Sequence, residues 1–424
     1  MSPWYNRHMP ASSPPPSAAR NLYSFGITSF FNDTASEMAY WVLPAFLLSV
    51  GAGPEQLGLI EGVAESVASF AKLFSGYLTD RIDRRKPLVV AGYFVANAVK
   101  PLLAIVTSWV HILLIRFTDR LAKGVRGAPR DVMVAESVGQ QRLGSAYGLI
   151  QSMDSAGAIA GPLAALVLLT RFHIRTVFLA AAVPGALAVL VAILGISETK
   201  RGAKEKESEA VQGEEIAKGQ TAQGPVSTRV SLPSAFYLVL AAVTLFSLGN
   251  SSDMFLVMRA QNVGISVSLA PLLGLVFNVI YTLGSWPAGW FSDRFSRRWI
   301  AASGYLIFAG VYAVFGRAPS TLAIWIAMAV YGIYYALTQP VLKALVVDTV
   351  RPETRGRALG IYFFMTSLAT LGASLMTGEL WKRYGAPVPF YLSAGLAVLS
   401  AAILLASKYM SRENASTSPS LPSE

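Results

Sequence analysis

Two acids, Asp33 and Glu37, stand four residues apart in FFNDTASEMAYW, within a segment otherwise fit for burial. With Ser29, Ser36 and Tyr40 they fall on one polar stripe when the chain is wound at ~100° per residue. Glu61, Glu65 and Lys72 repeat the device, since steps of four and seven return to one helix face. Arg116, Arg120 and Lys123 share a face too, with Asp119 beside them, and Lys100 and Asp154 add to the set. Further along, the pattern thins to Asn250, Asp253 and Lys343. Carboxylates and cations gathered in apolar surroundings have two uses. They can hold helices together as fixed ion pairs, because an uncompensated charge in low dielectric is severe. Alternatively, burial and acidic neighbours favour the protonated form of one carboxylate, which then exchanges a proton. Both readings stand on the sequence alone. No nucleophile–base pair or metal triad accompanies these residues, and no GxxxxGK[ST] loop offers a use of ATP. Met254 and Met258 present only thioethers to a soft metal, and methionine is more often packing. No metal is expected.

The elements that must position these residues follow from composition. Of 424 residues, 53% are apolar and only 14% charged, well below the roughly 25% of a soluble protein. Apolar windows of ~20 residues, the length of a membrane-crossing helix, recur throughout. They predict twelve spans, at 22–49, 57–79, 88–107, 109–128, 141–169, 176–197, 234–258, 268–291, 299–316, 321–347, 358–380 and 388–407. The net charge of +11 sits mainly in the loops after even-numbered spans, for example Arg81, Arg84, Arg85 and Lys86, or Arg294, Arg297 and Arg298. The opposite loops GAGPEQ and TSWVH hold no basic residue; Arg171, Arg175, Lys382 and Arg383 are the exceptions. This asymmetry predicts cytoplasmic termini and excludes nucleic acid as the partner. An ionisable group at the bilayer centre costs at least ~2.5–3.5 kcal/mol, so those named above should face a cavity or one another. The charge-mixed segment 198–233 reads as a tether, and the Pro/Ser-rich residues 1–20 as a disordered tail.

The two halves repeat. GYLTDRIDRRKP at 76–87 returns as GWFSDRFSRR at 289–298. VMVAESVGQQRLGSAYGL at 132–149 aligns with ALVVDTVRPETRGRALGI at 344–361, matching Glu136 to Asp348. FFNDTASEM at 30–38 aligns with FSLGNSSDM at 246–254, matching Glu37 to Asp253. Three matches in one order at nearly constant offset indicate two homologous six-helix bundles. The residues Gly76, Asp80, Arg81, Arg84 and Arg85, with their copies Gly289, Asp293, Arg294, Arg297 and Arg298, resemble the loop signature of the major facilitator superfamily. Asp83 and Ser296 stand where that family has glycine. Arg120-x-x-Lys123-Gly124 resembles its fourth-helix motif. Gly157-x-x-x-Gly161-Pro162 resembles half of a fifth-helix motif frequent in antiporters.

The resemblance implies an all-α membrane protein of two bundles, 21–197 and 234–408, with a cytoplasmic tail at 409–424 and a central site reached alternately from either side. It implies a loop latch formed by Asp80 and Arg81. Because spans one, four, seven and ten line the cavity in that family, Asp33 and Glu37 become the proton-exchanging acids, joined by Asp154 of the fifth span, and Arg120 their counter-charge. Tyr40, Arg116, Lys123, Asn250, Asp253 and Met254 become cavity residues. The expected activity is secondary transport of a small solute across the cytoplasmic membrane by a monomer. It would draw on the proton gradient without a cofactor, with export preferred. The alternatives are a symporter or uniporter importing an anion or zwitterion, and a non-transporting receptor of the same fold.

Overall fold

The computed structural model describes residues 16–79, 82, 84–138, 143–198, 232–350 and 354–416. Their regular structure is helical throughout: α1 (Pro16–Tyr40), α2 (Leu43–Ser49), α3 (Pro54–Thr79), α4 (Lys86–Val99), α5 (Trp109–Val138), α6 (Leu143–Leu169), α7 (Ile174–Ala180) and α8 (Ala182–Gly195) in the first half. The second half holds α9 (Ser234–Gly249), α10 (Met254–Asn262), α11 (Ala270–Arg294), α12 (Arg297–Arg317), α13 (Thr321–Asp348), α14 (Arg355–Tyr384) and α15 (Pro387–Ser416). They make twelve crossings, four of them interrupted. α1 continues into α2, α4 into a 3-10 helix (Lys100–Ala104), α7 into α8, and α9 into α10.

The breaks have local causes. Pro44, near the start of α2, has no N–H with which to carry on the ladder of α1. α9 stops where the sequence turns to Asn250-Ser251-Ser252-Asp253, residue types whose short polar side chains compete with the helical ladder for backbone hydrogen bonds. There the Met254 N–H donates to Ser252 Oγ at 3.4 Å. Two expected spans are thereby corrected: 22–49 is a helix from Pro16, within the segment read as tail, that breaks after Tyr40. The span at 234–258 is two helices, the second ending at Asn262.

Packing repeats with the sequence. In the first bundle α1 packs on α6 and α8, α3 on α5, and α4 on α5 and α8. In the second, α9 packs on α14 and α15, α11 on α13, and α12 on α13 and α15. These are the same five pairings displaced by six crossings. The bundles meet along α3 with α14 and α6 with α11, again a symmetric pair. Among the described residues nine segments are long and apolar enough to cross a membrane. The crossings that fall short, α1–α2, α3 and α5, are those carrying the clustered charges. Phe246 stacks on Tyr305 and Phe308 on Tyr312, each pair 3.9 Å apart, inside the second bundle. The large apolar cluster to which they belong extends into the first bundle through Trp41, Phe46 and Phe178, and a separate small one around Phe25, Tyr93, Met133 and Ile150 lies there as well.

Candidate functional site

Glycines bring the charged faces together. A Cβ at Gly157 would lie 2.5 Å from the Phe30 carbonyl oxygen and 3.0 Å from Asp33 Cβ. One at Gly161 would lie 2.7 Å from Glu37 Cβ. α6 therefore rests its backbone directly on α1 beneath the two acids, the small-residue approach that membrane helices use. Gly124 does the same for α5 against α3, where a Cβ would lie 2.5 Å from the Ala68 carbonyl oxygen. One turn on, Gly127 leaves room for the Lys72 stem, which a Cβ would touch at 3.8 Å.

The result is a polar cavity of about 270 Å³ inside the first bundle, walled by Asp33, Lys72, Arg120, Lys123, Arg130 and Asp154 among others. It reaches the end of α5 that leads toward the basic loops. A smaller chamber of about 70 Å³ adjoins it, sharing Asp33, Arg120 and Lys123 and adding Glu37, Tyr40 and Arg116. Behind these walls the charges are matched. Arg116 donates from Nε to Glu61 at 2.9 Å, with Glu61 only 1% exposed. Arg120 lies 3.2 Å from Glu65, and Lys100 lies 3.4 Å from Asp119. Arg116 also approaches Asp119 at 3.9 Å, and its guanidinium sits 5.7 Å from the Tyr40 ring centre. Asp33 accepts from the Asn32 amide at 3.0 Å, and Glu37 from Trp41 Nε1 at 2.7 Å. Asp33, Glu37 and Asp154 make no ion pair among the described residues.

Several of these groups touch the other bundle. Ser252, in the break before α10, donates to the second oxygen of Glu61 at 3.1 Å. The Trp41 indole lies flat against Gly274 of α11, leaving no room for a Cβ there, and its ring centre is 6.3 Å from that of Phe277. Asp253 accepts from Tyr331 at 2.7 Å and from Tyr335 at 3.3 Å. In the same break, Asn250 Oδ1 and Ser251 Oγ are buried without a partner among the described residues, while Met254 is fully buried in the apolar core. Toward the end away from the basic loops, Gly58 and Gly62 of α3 meet Ser374 and Leu371 of α14. Gly378 meets Pro54, and Lys382 pairs with Glu55 at the rim. That ammonium holds the Glu55 carboxyl below the usual carboxylate range. The bundles are closed at this end.

The sequence profile of the Major Facilitator Superfamily matches the chain over residues 25–259 and again over 236–424. The chain belongs to the major facilitator superfamily. Among its relatives, an uncharacterised MFS-type transporter of Methanocaldococcus jannaschii is 32% identical over 398 residues, 91% of this chain and 94% of that protein. The multi-drug resistance efflux pump PmrA of Streptococcus pneumoniae is 29% identical over 195 residues, 44% of this chain and 47% of that protein. A bacterial homolog of the human lysosomal transporter spinster, solved in an inward-facing and unoccupied conformation, superposes with a TM-score of 0.74 at 16% identity. It covers 95% of this chain and 99% of that one. A D-xylose–proton symporter superposes at 0.68, also 16% identical, over 91% and 96%. At these identities the likeness is one of fold. As a member of the superfamily the protein is a multi-pass membrane transporter of small molecules, not an enzyme.

The superfamily's loop phrase is partly described. Arg85, nearly buried, pairs with Glu136 at the end of α5, and its backbone N–H donates to Glu198 at 2.9 Å. Arg297 pairs with Asp348 at 2.6 Å, at the end of α13. Glu136 and Asp348 are the residues that the internal repeat aligns, so each bundle ties its loop to the helix two crossings on. Arg84 is exposed, Arg298 half-buried, and a Cβ at Gly76 would meet nothing among the described residues. Asp80 and Arg81, on which the expected latch rests, lie outside the described residues, as do the side chains of Asp293 and Arg294. Glu136→Lys should destabilise the protein by about 1.5–3 kcal/mol, the worth of a charge-assisted hydrogen bond. Adding Arg85→Glu should return most of the loss, read as the melting midpoint in detergent.

Proposed function

We propose that this protein is a proton-coupled secondary transporter of the cytoplasmic membrane, working as a monomer with both termini in the cytoplasm and without a cofactor. One observation carries the reading: the acids of the first bundle divide into two groups. Glu61, Glu65 and Asp119 each have a cation within ion-pair distance. Asp33, Glu37 and Asp154 border water-sized space with no ion pair among the described residues. A carboxylate in that position is the one a proton can enter and leave. Two of the acids also reach the bundle boundary, Glu37 through Trp41 and Glu61 through Ser252. A change of charge beside Glu37 would therefore be felt where the bundles must part. That is the differential contact a two-state cycle needs.

The direction of transport follows from the charge of the solute. A cation would compete with the proton for the free carboxylates and be exported by antiport. The efflux-pump relative and the Gly157-x-x-x-Gly161-Pro162 segment support that direction. An anion would instead bind together with the proton and be imported by symport. The excess of cations on the cavity wall favours this second reading.

The coupling is tested in proteoliposomes carrying an internal pH dye, screened against a solute panel. A carried solute should drive proton flux in the wild type. Asp33→Asn or Asp154→Asn should lose that flux yet keep solute counterflow. Solute movement indifferent to an imposed pH gradient would refute the coupling.

A further inference from the structure

The larger cavity is lined by five cations, Lys72, Arg120, Lys123, Arg126 and Arg130, against four acids, Asp33, Glu65, Asp131 and Asp154. Two pairs cancel: Arg120 with Glu65 at 3.2 Å and Arg130 with Asp131 at 3.1 Å. Arg126 is engaged elsewhere, its guanidinium 4.3 Å from the Tyr93 ring centre and Nη1 donating to the Gly92 carbonyl at 3.5 Å. What faces the space is two ammonium groups, Lys72 and Lys123, both exposed to it and neither in an ion pair among the described residues. Arg120 lines the same space, and its Nε–H has no acceptor among the described residues. A guanidinium N–H beside two ammonium groups suits the oxygens of an anion. Gly124 fixes the arrangement by seating α5 on α3 at Lys72, and the Lys72 stem runs past Gly127.

We propose that Lys72, Arg120 and Lys123 form the binding site of a small organic anion carrying a carboxylate or phosphate group, and that it binds together with a proton on Asp33 or Asp154. The co-binding rests on the proton coupling proposed above; the anion site does not. With both acids ionised they offset the two lysines, and Arg126 alone is left over on the wall. Protonating either acid adds a second unbalanced positive charge, beside the lysines. Proton and anion then favour each other's binding by the same factor, as linkage requires. Substrate and proton would move in the same direction.

The test uses the full-length protein purified in detergent, with no gradient present. Succinate, inorganic phosphate and, as a cationic control, tetraethylammonium are titrated at matched ionic strength, and binding is read from the melting midpoint. Succinate or phosphate should raise the midpoint saturably, whichever acceptor the site prefers. Lys123→Gln and Lys72→Gln should each weaken that binding by ~10–100-fold, the loss of a charge-assisted contact, whereas Lys123→Arg should retain it. Acid pH should tighten the binding. Stabilisation by tetraethylammonium alone, or an anion effect undiminished in both glutamine variants, overturns the site. An anion effect that ignores pH keeps the site and refutes the co-binding. A proton-driven solute flux in liposomes with no anion binding would leave the coupling intact and sink the anion.

Discussion

Arg116→Met will destabilise the protein by about 3–5 kcal/mol, more than any other single substitution considered for the first bundle. Glu61 is 1% exposed and depends on Arg116 for compensation, with only the Ser252 hydroxyl as a second donor. Removing the guanidinium leaves a carboxylate buried among helices, the situation that makes one-sided disruption of a buried pair so damaging. The double variant Arg116→Met with Glu61→Gln should recover most of the loss, because it removes the charge along with its partner. Melting midpoints of the three proteins in detergent decide the matter. A double variant no more stable than the single one would mean that Arg116 acts through its packing and not through Glu61.

Gly58→Leu will stop the transport cycle without unfolding either bundle. A Cβ at Gly58 overlaps the Ser374 carbonyl oxygen of α14 and lies 3.4 Å from Gly378 Cα. The clash exists only while α3 and α14 are together at this end, so it penalises one state and spares the other. Overpacking of this kind costs about 1–3 kcal/mol, enough to shift a balanced equilibrium ~5–150-fold. The chain has no cysteine, which makes the readout simple. A Glu55→Cys, Lys382→Cys pair should be joined by a short bis-maleimide in the otherwise native protein and should escape it when Gly58→Leu is present. Equal cross-linking in both would show that α14 accommodates the leucine by a local shift.

The sequence is most legible where one crossing suffices to explain a residue. Charge asymmetry in the loops and three repeated phrases predict twelve crossings in two bundles. Steps of four along one helix predict which acids and bases share a face. The choice of partner is harder to read, because it depends on how far neighbouring helices slide past each other. Glu61 and Arg116 are 55 residues apart, and nothing in either segment says that Glu61 takes Arg116 while Glu65 takes Arg120. Contacts between the bundles are further out of reach. Trp41 on Gly274 and Ser252 on Glu61 join segments in different repeats, so the internal alignment carries no trace of them. Two of the helix breaks fall in the same class. Pro44 and the Asn250–Asp253 run are visible as letters, yet the apolar periodicity on either side runs through them. One partial signal was present: aligning Glu136 with Asp348 marks two equivalent acids, and both prove to hold a loop arginine.

The seam between α3 and α14 has an energetic meaning beyond its shape. It is backbone laid on backbone through Gly58, Gly62, Ser374 and Gly378, with one ion pair at its outer edge. When such a surface parts to admit a solute, water replaces helix as the neighbour, and a seam of glycine and serine backbone exposes little apolar side chain to it. Little is lost by parting and little gained by closing. Turning such a balance fully over takes ~5.5 kcal/mol, and a smaller bias already moves most of the population. A machine hinged on a neutral seam can be driven by a single ion.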